Sequence, residues 1–178
     1  MINIEFNKVR EVKSPSKAYP TDAGFDLYLP KFTQQFLSDV VYVNRQERES
    51  LKTSELRKLY TVYDNKKSLT IAPGESVLIP SGLKVAVPQG YALVVANKSG
   101  IASKRSLLYG AHVIDSSFRG EVLINLHNVG ITDQTLTEDM KIVQVLLLPV
   151  PEATFVECGI LDEKTDRGAG GFGSTDSK

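Results

Sequence analysis

Apolar and polar positions alternate with the two-residue period of strands over most of this chain. Residues 75–80 follow the turn signal Pro73-Gly74, and Leu83, Val85 and Val87 then alternate with Lys84 and Ala86 as far as Pro88-Gln89-Gly90. Residues 91–96 are a mostly apolar run, the pattern of a strand covered on both faces. Val122, Ile124 and Leu126 alternate with Leu123, Asn125 and His127, and residues 142–150 form a last core strand stopped by Pro149 and Pro151. Short strands divided by Gly/Pro turns at near-regular spacing predict an all-β sandwich or closed barrel. No internal repeat is visible.

Two stretches break the alternation. Residues 31–68 carry eight basic and five acidic side chains and few strand formers before Tyr60. Asn44 followed by Glu47 reads as a capping box, and Leu56, Leu59 and Tyr60 stand at helical spacing, so a short surface helix is expected over about residues 44–60. Such an insertion is compatible with a solvated excursion of no function or with a surface for a protein partner. The second stretch is the tail, Arg167-Gly168-Ala169-Gly170-Gly171-Phe172-Gly173-Ser174-Thr175. It lacks the Gly-Lys-Ser/Thr ending of a Walker loop. A bare glycine run is an ordinary frayed terminus, but this one holds a guanidinium, an aromatic ring and unhindered backbone N–H groups. Those could stack on a base and cradle phosphate once ordered.

Composition narrows the field. The 178 residues suit one domain, expected over 1–165 with 166–178 as a flexible arm, and a chain of this size buries roughly two-thirds of its unfolded surface. Cys158 is the only cysteine, which excludes an internal disulfide and points to a reducing compartment; the expected location is cytoplasmic. Twenty-one basic residues balance twenty-one acidic ones, which argues against general nucleic-acid binding. No apolar run approaches the ~20 residues that span a bilayer. His112 and His127, the only histidines, leave little from which to build a His-rich metal centre or a Ser-His-Asp triad.

Three clusters place polar groups in apolar surroundings. Lys98, Ser99 and Gly100 follow a buried strand, and their cation, hydroxyl and unhindered N–H suit an anion as well as an ordinary turn. Val113 and Ile114 deliver Asp115 to the edge of a turn with Phe118 three residues on. Asp115 could close an Asx turn or could orient and deprotonate a water beside an aromatic wall. Gln144, among Ile142, Val143, Val145 and Leu146, needs hydrogen-bond partners, structural or ligand.

In this order the clusters resemble the five motifs of the deoxyuridine triphosphatase (dUTPase) family: Ala23-Gly24-Phe25-Asp26-Leu27, Lys98-Ser99-Gly100-Ile101-Ala102, Val113 through Gly120, Lys141-Ile142-Val143-Gln144, and the tail from Arg167 to Thr175. The resemblance implies a jelly-roll-like β-barrel forming a homotrimer. Its active sites lie between subunits, and the arm of a third copy closes over each. It implies hydrolysis of dUTP to dUMP and pyrophosphate with Mg²⁺ on the triphosphate. Asp115 would deprotonate the attacking water; Lys98, Ser99, Gly100 and Gln144 would meet the phosphates. Asp26 would help organise the phosphate and metal end through water. Phe118 would pack on the deoxyribose, and the hairpin with Gly110, His112 and Val113 would read uracil. From the arm, Arg167 and Phe172 would close with Gly171, Gly173 and Ser174. Partners are then dUTP and copies of the same chain, with no nucleic acid and no membrane, plus a protein partner at residues 31–68.

Several positions depart from the family pattern. Lys98 stands where arginine is usual, Phe118 where tyrosine is typical, and Ala169 where an acid is frequent. Gly110-Ala111-His112-Val113 replaces the usual small residues and resembles the dCTP deaminase branch of the superfamily. A deaminase, or a member cleaving dCTP or a modified dUTP, is therefore the alternative. Deamination needs a carboxylate on the following strand, where this chain has Asn125. A non-catalytic, partner-binding trimer acting through the insertion is a further alternative.

Overall fold

A computed structural model of the chain describes residues 2–47, 60–63, 66–160, 164–165 and 168–169. The arm residues Arg167, Gly171, Phe172, Gly173 and Ser174 lie outside them. In chain order the elements are β1 (Glu5–Lys8), β2 (Phe25–Tyr28), α1 (Gln34–Glu47), β3 (Tyr60–Tyr63), β4 (Lys66–Ile71), β5 (Ser76–Ala86), β6 (Tyr91–Asn97), α2 (Ser99–Arg105), β7 (Leu107–Tyr109), β8 (Val113–Ile114), β9 (Glu121–Asn128), β10 (Gln134–Leu136) and β11 (Lys141–Pro149). They form three antiparallel sheets, ordered β1-β5-β9-β7, β2-β11-β6-β8 and β10-β4-β3. The expected all-β class is what the chain adopts.

Period two sets the core. On β9 Val122, Ile124, Leu126 and Asn128 are buried, while Glu121, Leu123, Asn125 and His127 on the other face are half-buried. Leu27, Leu93, Val95, Val143 and Val145 of the other four-stranded sheet join the same buried cluster. Each such side chain contributes about 1.5–3 kcal/mol on leaving water. The runs 75–80 and 83–87 are halves of one strand, β5. Its register against β9 shifts between Pro80 and Lys84, at Gly82, whose φ is 78°. A Cβ at Gly82 would also stand 2.9 Å from Val12 Cγ1, so two separate constraints call for glycine there.

Most of the helix predicted over 44–60 falls on residues 48–59, which lie outside the described residues; at its two ends Asn44 belongs to α1, which starts at Gln34, and Tyr60 belongs to strand β3. Thr33 supplies the cap, with Phe36 N donating to Thr33 Oγ1 at 3.1 Å. Asn44 is inside the helix and fully buried. Its Nδ2 donates to Val40 O and to Leu78 O, both at 2.7 Å, and its Oδ1 accepts from Leu78 N at 2.9 Å. Nor is α1 a purely surface helix, because Phe36, Leu37, Val40 and Asn44 bury one stripe, with Phe32 stacked on Phe36 at 5.1 Å. The capping-box reading failed because an asparagine three residues before a glutamate also fits a buried amide clamping a neighbouring strand.

Candidate functional site

Four of the five sequence clusters fall on one sheet. Asp26 of β2 pairs with Gln144 of β11, which pairs with Ala96 of β6, and the chain then runs through Asn97 into Lys98 and α2. Lys98-Ser99-Gly100 is therefore the start of a short helix, with Ser99 and Gly100 exposed. The Gln144 amide has a structural partner, Nε2 donating to Asn97 O at 3.0 Å, which fixes the strand end that carries Lys98. Gly24 lets this happen, since a Cβ there would stand 2.9 Å from Gln144 Oε1 and 3.2 Å from Val145 O.

Asp26 is buried and sits between two ammonium groups. Lys98 Nζ bonds its Oδ1, and Lys141 Nζ its Oδ2 at 2.9 Å. Burial alone would push this carboxyl up, but the hydrogen bonds from Lys141 and then Lys98 outweigh it and hold the carboxyl below its ordinary value. The same bond holds the Lys141 ammonium above its ordinary value. A carboxylate saturated by two cations is a poor ligand for Mg²⁺, and among the described residues no group of three or more His, Cys, Asp or Glu could hold a metal. These residues do not fit a protein-held metal ion.

The segment joining β7 to β8 is tightly fixed. Tyr109 N donates to Asn97 Oδ1 at 2.7 Å, Gly110 N to Asn125 O at 2.9 Å, and Val95 N to His112 O at 2.7 Å. His112 Nδ1 is 2.9 Å from Val95 O, and the His112 ring meets Tyr109 edge-on at 5.6 Å. The Tyr109 hydroxyl, desolvated by burial, has its pKa pushed up to about 12 and stays a neutral donor to Leu123 O. Val113 is exposed. At Gly110 a Cβ would lie 2.4 Å from His127 Nε2 and 3.0 Å from Asn125 Nδ2. Gly110→Ala is expected to destabilise the fold by about 1–3 kcal/mol. Adding His127→Ala should recover most of that loss in thermal melts of the single and double variants. Sequence reading missed this close packing, because a polar pair at alternate positions of a strand looks like an ordinary solvent face.

Asp115 and Phe118 occupy a turn at the far end of β8. Phe118 N donates to Asp115 O at 3.1 Å, and Arg119 Nη1 donates to Ser116 O at 2.6 Å and to Phe118 O at 2.8 Å. The turn is thus closed by backbone and guanidinium rather than by an Asx bond. The Asp115 carboxylate is exposed and takes no hydrogen bond from the described residues. The Phe118 ring lies over Gly120, where a Cβ would stand 2.7 Å from Phe118 Cζ.

These groups do not converge within one chain. Val113 pairs with Val94 and Ile114 with Leu93, which sets Asp115 level with Ala92. Lys98 is six residues further along, about 20 Å at strand rise. The hairpin at Gly110–His112 sits at the Asn97 end, and Asp115 at the other.

Comparison with known proteins identifies the family. The dUTPase family model matches residues 61–176, more than half of the chain. A deoxyuridine 5'-triphosphate nucleotidohydrolase of Roseobacter denitrificans is 41% identical over 109 residues, covering 60% of this chain and 71% of the relative. The dUTPase of Staphylococcus bacteriophage 80alpha, solved with dUpNHpp, superposes with a TM-score of 0.72 at 16% identity, covering 98% of this chain and 99% of that one. A mutant dUTPase of S. aureus phage phi11, described as revealing coordination of a structural Mg(II) ion, gives a TM-score of 0.65 at 16% identity over 89% of this chain and 98% of that one. At those identities the structural likeness speaks for the fold. Among the described residues, no helix is long and apolar enough to cross a membrane.

Proposed function

Because the chain belongs to the dUTPase family and is a dUTP diphosphatase, we propose that its Asp115 is the base of the reaction and that each site is shared between copies of the chain. The observation that carries the first part is the exposed Asp115 carboxylate, free of structural duty in its turn. It holds a water and takes its proton as the water oxygen bonds to the α-phosphorus. The bond from that phosphorus to the bridging oxygen breaks, and pyrophosphate leaves. Mg²⁺ enters as part of the substrate, on the triphosphate oxygens of dUTP, where it offsets charge that repels the incoming water. Ser99 and the N–H groups beside Gly100 contact phosphate, with Lys98 supplying a cation and Gln144 holding their strand end in place. Asp26 acts on this end through Lys98 and Lys141.

The Phe118 ring packs on the deoxyribose and fills the place of a 2′-hydroxyl. Backbone groups of Gly110, His112 and Val113 read uracil, since groups made to pair with one base edge are left unpaired by another. The 20 Å gap supports sharing: the Asp115 end of one copy faces the Ser99 end of another, in a homotrimer. Exposed Phe155, Val156 and Ile160, beyond β11, are apolar side chains that nothing among the described residues covers, which supports the same assembly. The arm at 166–178, with Arg167, Gly171, Phe172, Gly173 and Ser174, closes over the base and phosphates of a neighbour's site. Among the described residues of the 31–68 segment, the exposed face of α1, with Gln35, Ser38 and Tyr42, is open to a protein partner.

The test is incubation with Mg²⁺ and each deoxynucleoside triphosphate or UTP, with products separated by chromatography and the protein sized in solution. Expected are dUMP and pyrophosphate from dUTP alone and the mass of three chains. A monomer with full activity would overturn the shared site, and dCMP from dCTP would overturn uracil reading by the hairpin.

A further inference from the structure

Lys98 has two claims on its ammonium group. In the free protein it bonds Asp26, whereas the triphosphate site proposed above, on which this inference rests, asks it to turn to phosphate. Leaving Asp26 would strand a carboxylate that is 6% exposed, and an uncompensated buried charge is strongly unfavourable. Lys141 occupies the other carboxylate oxygen, Oδ2, at 2.9 Å. Its Cα is in register with Tyr28, and its ammonium stands 5.7 Å from the centre of the Tyr28 ring. The register shift between Lys141 and Val143 separates this contact from the Gln144–Asp26 pairing. Lys141 therefore reaches Asp26 from β11, whereas Lys98 reaches it from the end of β6, so one ammonium can stay when the other turns away.

We propose that Lys141 is a positioning residue for the triphosphate: it keeps Asp26 neutralised while Lys98 transfers to phosphate. The charge sum agrees. One carboxylate and two ammonium groups present a single net positive charge beside Ser99; with either lysine alone the cluster is neutral and attracts no anion. The third charge is thus what makes the cluster a phosphate-facing cation rather than a closed ion pair.

The experiment compares Lys141→Gln, Lys141→Arg and the double variant Lys141→Gln/Asp26→Asn with the parent chain, reading affinity for dUpNHpp and inhibition by deoxyuridine, which has no phosphate. Lys141→Gln is expected to weaken dUpNHpp roughly five- to twentyfold, with deoxyuridine unchanged. The loss should shrink at high salt because the site is partly open to water. Lys141→Arg should restore binding. The double variant should also recover most of the loss, because it removes the carboxylate that would be stranded and returns the net positive charge. A merely structural lysine would lower affinity for both ligands together and would not be rescued by removing Asp26. Equal loss for both ligands, or a double variant weaker than Lys141→Gln, overturns the proposal. If the parent chain itself fails to bind dUpNHpp more tightly than deoxyuridine, the triphosphate site is what has failed.

Discussion

Replacing Asp115 by asparagine is expected to lower kcat for dUTP by about two to four orders of magnitude while leaving dUpNHpp binding within a few-fold of the parent. Asparagine matches aspartate in size, and nothing in the turn depends on the carboxylate. The turn is closed by Phe118 N on Asp115 O and by Arg119 on Ser116 O and Phe118 O. The melting temperature should therefore stay where it is. What disappears is the acceptor for the water's proton, so the change belongs in kcat and not in ligand affinity. Single-turnover hydrolysis beside calorimetric titration with dUpNHpp separates the two. A variant that keeps more than a tenth of the parent rate would move the base to another residue.

Asn44→Ala is the largest effect expected on stability. The substitution removes the acceptor for Leu78 N and a donor to Leu78 O, and both backbone groups then face a cavity away from water. Orphaned buried polar groups cost about 1–3 kcal/mol each. The total of roughly 2–5 kcal/mol corresponds to a melting temperature lower by about 5–15 °C for a domain of this size. Differential scanning calorimetry measures it directly. Since Asn44 belongs to the α1–β5 contact, kcat of the folded fraction should be unaltered. A shift below about 2 °C would mean that α1 is held by Phe36, Leu37 and Val40 alone and that the amide is incidental.

Strands with a strong apolar signal were readable from sequence alone. β9 shows period two because one face is buried, β6 and β11 are apolar runs bounded by turn signals, and all three fall within a residue or two of their expected bounds. The short strands β1, β7, β8 and β10 carry too few residues for a period to register. β5 was readable as strand but not as one strand, since Pro80 and Gly82 look like a turn when they are a register shift. The first turns of α1 were not readable for a different reason: their apolar stripe, Phe36, Leu37 and Val40, is short and lies beside a highly charged stretch.

The placement of the candidate site residues was legible where an apolar run ends in polar groups. Asp115, Lys98 and Ser99 stood out because each follows such a run, and the structure puts each at the end of a strand. Lys141 did not, although it touches the same carboxylate as Lys98. One more lysine at the start of a strand is unremarkable until pairing of β2 with β11 brings it to Asp26. Gln144 was correctly read as needing a partner, and that partner is the backbone of Asn97. The packing of His127 and Asn125 under Gly110 depends on β7 lying beside β9, a long-range fact that no local window contains.

The separation of Asp115 from Ser99 along one sheet has a genetic reading. In the proposed assembly an allele damaged at Asp115 and an allele damaged at Ser99 injure opposite halves of the site. Mixed trimers from a cell carrying both would contain some sites built from two sound halves, so the two alleles complement each other. Two alleles damaged at the same end would not. A single faulty allele beside a sound one would behave semi-dominantly, because each faulty chain lends its broken half to a neighbour whose own sequence is intact.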